Sequence, residues 1–117
     1  MKTKVYQKPT CSTCRTVLRE MEEAGEEFDS INYYQTPLTS KQLKSLCVKM
    51  GVTPKGILRT KEPIYKDLNL KKRDISEDEL LELMVAHPDL IQRPIIEKGK
   101  KAVLARPVEL WKEILGK

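Results

Sequence analysis

The apolar positions at the start of the chain follow first the spacing of a strand and then that of a helix. Residues 3–7 have the pattern of a short buried strand. The segment from residue 12 to about residue 25 carries apolar side chains at helical spacing, namely Cys14, Val17, Leu18 and Met21. Alternation returns in residues 26–33 and predicts a second strand. A strand, a helix and a strand in this order form a βαβ unit, so the two strands should be parallel.

The middle of the chain is predicted to be helical. Thr39 and Gln42 have the spacing of a capping box ahead of a helix that Gly51 should end. Residues 53 and 54 then begin a region of short helical turns that extends to about residue 68.

A further helix is predicted after a second capping box, formed by Ser76 and Glu79. It should stop at His87, because the residue before a proline is disfavoured in the α region and Pro88 follows. Near a helix C-terminus, this histidine is expected to compensate the helix dipole or to pack, and not to act as a general base.

The last part of the chain predicts a hairpin and a final helix. Residues 91–96 lead into a third strand, and a tight turn at residues 98–100 joins it to a fourth strand at residues 102–104. Arg106 and Pro107 open a helix whose apolar face consists of Leu110, Trp111, Ile114 and Leu115. The order βαβ, helices, ββα predicts an α/β protein with a mixed four-stranded sheet and a helical insertion.

Two cysteines fall in the first turn of the first predicted helix. Backbone N–H groups and the positive end of the helix dipole would point towards Cys11, which favours its thiolate, the nucleophilic form. Cys14 lies about one turn away and could form a disulfide with Cys11 or remain a second thiol. A Cys-X-X-Cys sequence after a strand and at the start of a helix is typical of thioredoxin-like redox proteins.

The alternatives for these cysteines are a buried structural pair or half of a zinc site. Zinc would need two more ligands, and Cys47 and His87 are not at the spacing of a zinc site, so we expect no metal. Cys47 follows the apolar face of the second helix and is expected to be a core residue.

Composition describes one folded domain over residues 1–117. Hydrophobic residues make up 39% and charged residues 33%, which is typical of globular proteins and not of disordered ones. The chain has no apolar run near 18 residues and no leader pattern, so no membrane contact is expected and we interpret the protein as cytoplasmic. An odd number of cysteines, three, argues against an extracellular disulfide framework. A monomer is expected.

A net charge of +5 is compatible with several kinds of partner. Only 5% of the residues are aromatic, which leaves little for base stacking, and we expect no direct binding to nucleic acid. A small anion held by a few arginines fits the charge equally well.

Three arginines have sequence contexts that suggest an anion site. Arg59 follows two apolar residues, Arg93 precedes Pro94 and Arg106 precedes a proline as well. In a thioredoxin-like fold, a cis-proline is expected before the third strand and beside the cysteine site, which would bring Arg93 close to Cys11. Any one of these arginines alone could be an ordinary surface residue.

Four motifs, at residues 9–15, 58–68, 87–95 and 106–107, resemble the arsenate reductase (ArsC) family of glutaredoxin-like proteins, which includes the Spx-type transcriptional regulators. The resemblance covers nearly the whole chain and implies the thioredoxin-like fold. It also implies that Cys11 attacks arsenate while Arg59, Arg93 and Arg106 bind the oxyanion. Glutathione and glutaredoxin would supply the electrons for reduction to arsenite, with no bound cofactor. If Cys14 instead resolves Cys11 to a disulfide, thioredoxin or glutaredoxin would reduce that disulfide.

The chain departs from the family pattern near the cysteines. Gln7 and Lys8 stand where the well-studied reductases often have histidine and asparagine, and Lys8 could itself favour the thiolate. Cys14 is shared with the Spx-type regulators, so a redox-sensing protein that binds RNA polymerase through a Cys11–Cys14 switch is the alternative to the enzyme. A disulfide- or glutathione-linked activity on another substrate is a third possibility.

Overall fold

The computed structural model describes residues 3–106 and 108–115, with the side chain of Leu115 left out. The chain forms two compact units. One unit consists of residues 1–37 together with residues 93–117, and the other consists of residues 38–92. Within the described part of the chain, no helix is both long and apolar enough to cross a bilayer.

The first unit contains the four-stranded sheet. Its strands are β1 (Thr3–Gln7), β2 (Phe28–Asn32), β3 (Ile95–Lys98) and β4 (Lys101–Leu104), in the order β2-β1-β3-β4. Strand β2 is parallel to β1, whereas β3 is antiparallel to both β1 and β4. The predicted parallel pair and the predicted mixed sheet are both confirmed.

Helix α1 (Ser12–Glu23) connects the two parallel strands and presents one buried face. Cys14, Val17 and Met21 are fully buried on that face, as the helical spacing of the apolar residues predicts. The helix ends before Gly25, whose φ of 77° lies in the left-handed region that glycine adopts without steric cost.

The final segment, Val108–Leu115, is a 3-10 helix. Side chains three residues apart lie above one another in a 3-10 helix, so Trp111 and Ile114 point to the same side and both are buried. They pack in one core with Val5 and Ile96, which face each other across β1 and β3. The predicted core role of Trp111 is confirmed. Pro107, the predicted first residue of this helix, lies outside the described residues.

The second unit consists of helices. It contains α2 (Ser40–Met50), α3 (Pro63–Asp67), α4 (Glu77–Ala86) and two 3-10 helices, Pro54–Ile57 and Pro88–Leu90. The core of this unit includes a set of buried residues from α2 and α4, namely Leu43, Leu46, Cys47, Leu80, Leu81 and Met84. Cys47 is therefore a core residue, as predicted.

The helices of this unit begin at the predicted caps. The N–H of Gln42 donates to Thr39 Oγ1 at 3.1 Å, and the N–H of Thr39 donates to Gln42 Oε1 at 2.9 Å, which completes the capping box. At α4, the N–H of Glu79 donates to Ser76 Oγ at 3.2 Å. Each cap satisfies a donor that a helix N-terminus would otherwise leave unpaired.

Candidate active site

Cys11 is the N-cap residue of α1, and its sulfur caps the helix. The N–H of Cys14 donates to Cys11 Sγ, with 3.4 Å between nitrogen and sulfur. The main chain on either side is held as well, because the N–H of Cys11 donates to Lys8 O at 3.0 Å and the N–H of Arg15 donates to Cys11 O at 3.1 Å. The sulfur is thus fixed at the positive end of the helix dipole.

The environment of Cys11 favours its thiolate. Partial burial acts against ionisation and by itself would raise the pKa of the thiol. The N–H of Cys14, the Cys14 thiol and the Arg93 guanidinium all hydrogen-bond to the sulfur, and Arg93 adds a positive charge. These interactions outweigh burial, so the pKa of Cys11 is lowered.

The pKa of Cys14 is shifted in the opposite direction, upwards. Burial raises the pKa of its thiol to about 12, and the hydrogen bond to Cys11 and the charge of Cys11 act in the same direction. The backbone N–H of Lys8 and the charge of Arg93 only partly offset this. Cys14 is fully buried and both cysteines are free. The two sulfurs are therefore unequal, since their surroundings favour the thiolate of Cys11 and the neutral thiol of Cys14.

Arg93 is a buried cation beside this pair. Its side chain is only 6% exposed, and the Arg93–Pro94 peptide bond is cis, as expected before the third strand. Burial alone would lower the pKa of the guanidinium, but Tyr33, Tyr34 and Cys11 raise it. Nη1 donates to Tyr34 Oη at 3.5 Å, and Tyr33 and Cys11 also accept hydrogen bonds from the guanidinium. These partners offset the cost of burying the charge.

Sequence reasoning missed the two tyrosines that surround Arg93. Tyr33 and Tyr34 follow β2, and their rings contact each other with centroids 5.1 Å apart. The ammonium of Lys8 lies 4.8 Å from the centroid of the Tyr34 ring, in a cation–π contact. Because β1 and β2 are parallel, the residues that follow both strands meet at one edge of the sheet. That rule, applied to the predicted strands, would have found these tyrosines.

Arg106 lies in the same unit but has a different contact. Its guanidinium Nη1 donates to the carbonyl oxygen of Arg93 at 3.0 Å, and its side chain is exposed. The structure therefore places Cys11 in contact with both Cys14 and Arg93, while Arg106 binds the main chain of Arg93 in the same unit.

Arg59 belongs to the other unit, residues 38–92, and is half-buried there. Its guanidinium forms an ion pair with Glu62, in which Nε and Nη2 both lie 3.0 Å from the same carboxylate oxygen, Oε1. The main-chain N–H of Arg59 donates to Leu90 O at 2.7 Å. This arginine is thus held by the main chain and by a carboxylate of its own unit.

The polar side chains outside this cluster form no metal centre. Among residues 3–106 and 108–115, no group of three or more histidine, cysteine, aspartate or glutamate side chains could hold a metal ion.

Gln7, at the end of β1, is buried and donates through Nε2 to Ser30 Oγ at 2.8 Å, which ties β1 to β2.

Comparison with known proteins identifies the family of this chain. The ArsC family model matches residues 6–114. The uncharacterised protein YfgD of Escherichia coli (strain K12) is 37% identical over 97% of this chain and 96% of its own length. An arsenate reductase of Neisseria meningitidis (serogroup A) is 34% identical over 96% of this chain and 97% of its own length. The structure of an arsenate reductase from Vibrio cholerae has a TM-score of 0.92 and 36% identity, over 97% of this chain and 98% of its own.

These matches confirm the predicted mixed α/β fold of the thioredoxin-like class. They also support a thiol oxidoreductase of the ArsC type, in agreement with a site built around the Cys11 thiolate. The chain belongs to the ArsC family.

Proposed function

We propose that this protein reduces arsenate to arsenite, with Cys11 as the nucleophile. The observation that carries the proposal is the Cys11 sulfur at the start of α1, whose pKa is lowered by the Cys14 N–H and thiol and by Arg93 in spite of its partial burial. Two relatives that are named arsenate reductases, 34% and 36% identical to this chain, support arsenate as the substrate.

In the first step, the Cys11 thiolate attacks arsenic and forms a sulfur–arsenic bond. One arsenate oxygen takes up protons and leaves as water, so arsenic stays pentavalent. Both reactants are anions and repel each other, and a guanidinium offsets the repulsion because it stays protonated and matches the oxygens of an oxyanion. Arg93, which hydrogen-bonds to Cys11, and Arg106, which binds the main chain of Arg93, are the proposed oxyanion ligands in this unit. For Arg59, which belongs to the other unit, we propose the role of third oxyanion ligand on the basis of the family resemblance.

In the second step, the thiolate of glutathione attacks the Cys11 sulfur. The sulfur–arsenic bond breaks, and its electron pair stays on arsenic, which leaves as trivalent arsenite. The two sulfurs become a mixed disulfide, and a glutaredoxin thiolate then releases Cys11 by exchange. No bound cofactor is needed.

Cys14 offers a different route, since its sulfur could attack Cys11 and leave a Cys11–Cys14 disulfide for thioredoxin to reduce. Its full burial and its pKa of about 12 make it a poor thiolate donor in the resting enzyme. These two properties favour an external thiol. Free cysteines suit a reducing compartment, and we propose that the protein acts in the cytoplasm as a monomer.

A coupled assay tests this function. Arsenate-dependent oxidation of NADPH is measured with glutathione, glutaredoxin and glutathione reductase present. We expect activity in the wild type, its loss in Cys11→Ser and its retention in Cys14→Ser, which is the matched control one turn away. Activity that survives Cys11→Ser would show that another group attacks the substrate. If thioredoxin serves as the electron donor and the Cys14→Ser variant is inactive with it, the route through a Cys11–Cys14 disulfide would be favoured.

The hydrogen bond between the Cys14 thiol and Cys11 also supports the second candidate, a redox-sensing regulator that binds RNA polymerase. Its test is capture of the polymerase α subunit by this protein under reducing and under oxidising conditions. A regulator should differ between the two conditions, and the Cys14→Ser variant should not. No binding in either state would exclude this function.

A further inference from the structure

The helical unit contains a cavity lined partly by basic residues, and none of its lining residues is among the catalytic or oxyanion-binding residues proposed above. Its volume is about 540 Å³, within the range of sites that hold small organic ligands. The cavity is lined by Thr60, Tyr65, Lys66, Asn69, Lys71 and Lys72. None of these lining residues is acidic.

The three lysines of this cavity are available to an anion. Among the described residues, neither Lys66, Lys71 nor Lys72 takes part in an ion pair. Two nearby glutamates are bound by arginines, Glu62 by Arg59 at 3.0 Å and Glu79 by Arg73 at 3.2 Å. The aspartates nearest along the chain, Asp67 and Asp74, are not among the lining residues of the cavity. Three positive charges along one cavity lining attract an anion, which offsets their mutual repulsion.

The main chain that carries the lysines forms a defined turn beside the cavity. Asn69 has a φ of 55°, in the left-handed region that asparagine tolerates better than most residues. The N–H of Leu70 donates to Tyr65 O and that of Lys72 to Asn69 O, both at 3.2 Å. Leu70 is buried, so the turn between the lysines is anchored in the core of its unit.

We propose that this cavity binds the phosphate groups of a small organic phosphate. Lysine binds phosphate as a point charge, and three such charges match a ligand that carries two or more phosphate charges. The half-buried Tyr65 ring offers an aromatic wall for the organic part, and Thr60 and Asn69 offer hydrogen-bonding groups. The proposal uses none of the residues assigned to the arsenate chemistry of Cys11.

The test is a titration of the full chain, labelled with nitrogen-15, with ADP, pyrophosphate and adenosine at low salt, followed by NMR. We expect ADP to shift amide signals of residues 60–72, pyrophosphate to bind more weakly and adenosine not to bind. In Lys71→Gln/Lys72→Gln, the Kd for ADP should rise about tenfold or more, as expected for the loss of charged hydrogen bonds. Tyr65→Leu should weaken ADP binding but not pyrophosphate binding.

The matched control is Lys100→Gln/Lys101→Gln, which removes the same charge from two exposed lysines of the other unit. Its Kd for ADP should stay close to that of the wild type. An equal loss of affinity in both double variants would reveal binding by net charge alone and overturn the site, as would the absence of shifts in residues 60–72. Equal affinities for ADP and pyrophosphate would overturn the choice of an organic phosphate. Circular dichroism checks that each variant is folded, and Lys66→Gln replaces the double variant if it is not.

Discussion

Two cysteines three residues apart have opposite acid strengths in this protein. Cys11 is partly exposed at the N-terminus of α1, where an N–H, a thiol and a guanidinium stabilise its negative charge. Cys14 is fully buried, and it is next to that negative charge. Two adjacent thiolates would repel each other, so the ionisation of Cys11 suppresses that of Cys14. Only one of the two sulfurs is therefore a ready nucleophile.

The rate at which the cysteines are alkylated should reveal the difference in pKa between Cys11 and Cys14. A lowered pKa means that the Cys11 thiolate persists below the pH at which an ordinary thiol, with a pKa of about 8.5, becomes protonated. We expect the rate of reaction with iodoacetamide to rise with pH to a midpoint below that value, and one thiol to react first. Mass spectrometry of the modified peptide should identify Cys11. In Cys11→Ser the fast phase should be absent, whereas a fast phase that persists would assign the low pKa to another cysteine.

Replacement of Arg93 by lysine should separate charge from geometry. Lysine keeps the positive charge but lacks the planar set of donors that reaches Cys11 and the two tyrosines at once. We expect the pKa of Cys11 to rise towards its ordinary value. In the coupled assay, kcat/KM for arsenate should fall about tenfold, or ~1.4 kcal/mol of transition-state stabilisation.

Arg15→Lys is the control for this variant, because Arg15 is an exposed arginine of α1. Its kcat/KM and its alkylation midpoint should match those of the wild type. An unchanged Arg93→Lys enzyme would mean that a single positive charge is sufficient at this position.

Among the elements, α2 shows how a short helix is defined by its ends. A reciprocal pair of hydrogen bonds between Thr39 and Gln42 starts it, and Gly51, with a φ of 71°, ends it. Between these residues, three side chains face the core of the helical unit. Both ends are written into the local sequence, because each cap involves residues only a few positions apart.

The contribution of the capping box can be measured with a matched pair of threonines. Thr39→Ala removes the oxygen that accepts from Gln42, and the free energy of unfolding should fall by about 1 kcal/mol. Thr53 occupies the same position before the 3-10 helix Pro54–Ile57 but makes no capping hydrogen bond through its side chain, so Thr53→Ala should have little effect. Urea denaturation of both variants checks this, and equal losses would show that the hydrogen bond contributes nothing.

The molecule as a whole carries its helical unit as an insertion in the sequence between β2 and β3. The first unit is thus built from two distant parts of the chain that pair in one sheet and share one core. If residues 38–92 unfolded alone, they would form a long loop closed by the intact sheet. Closure of such a loop costs roughly 3–4 kcal/mol, which disfavours the half-folded state.

We therefore expect the 117 residues to unfold as one domain. Trp111, the only tryptophan, reports on the sheet unit through its fluorescence. Labelling of the buried Cys47, in a Cys11→Ser/Cys14→Ser background, reports on the helical unit. The two urea midpoints should coincide, and clearly separate midpoints would show that the units unfold independently.

The features that could be predicted from the sequence depend on neighbours along the chain. The capping boxes, the end of α1 near Gly25 and the position of Cys11 at a helix N-terminus all follow from residues within one or two turns of one another. The parallel pairing of β1 and β2 follows from the short βαβ connection. Arg93 is expected near Cys11 for a different reason, because a thioredoxin-like fold places a cis-proline before the third strand and beside the cysteine site.

The partners of the arginines depended on contacts between distant parts of the chain. Residues near positions 11, 34 and 93 meet only when three strands assemble, and hydrogen bonds such as that from Arg93 to Tyr34 leave no periodic signal in the sequence. The same holds for Arg106, whose guanidinium binds a main-chain carbonyl rather than a side chain. Local sequence specified where each element begins and ends, because caps and turns are short-range interactions. Packing of the sheet specified which charged and aromatic groups surround the sulfur, because a buried charge such as that of Arg93 needs polar partners, and only distant parts of the chain supply them.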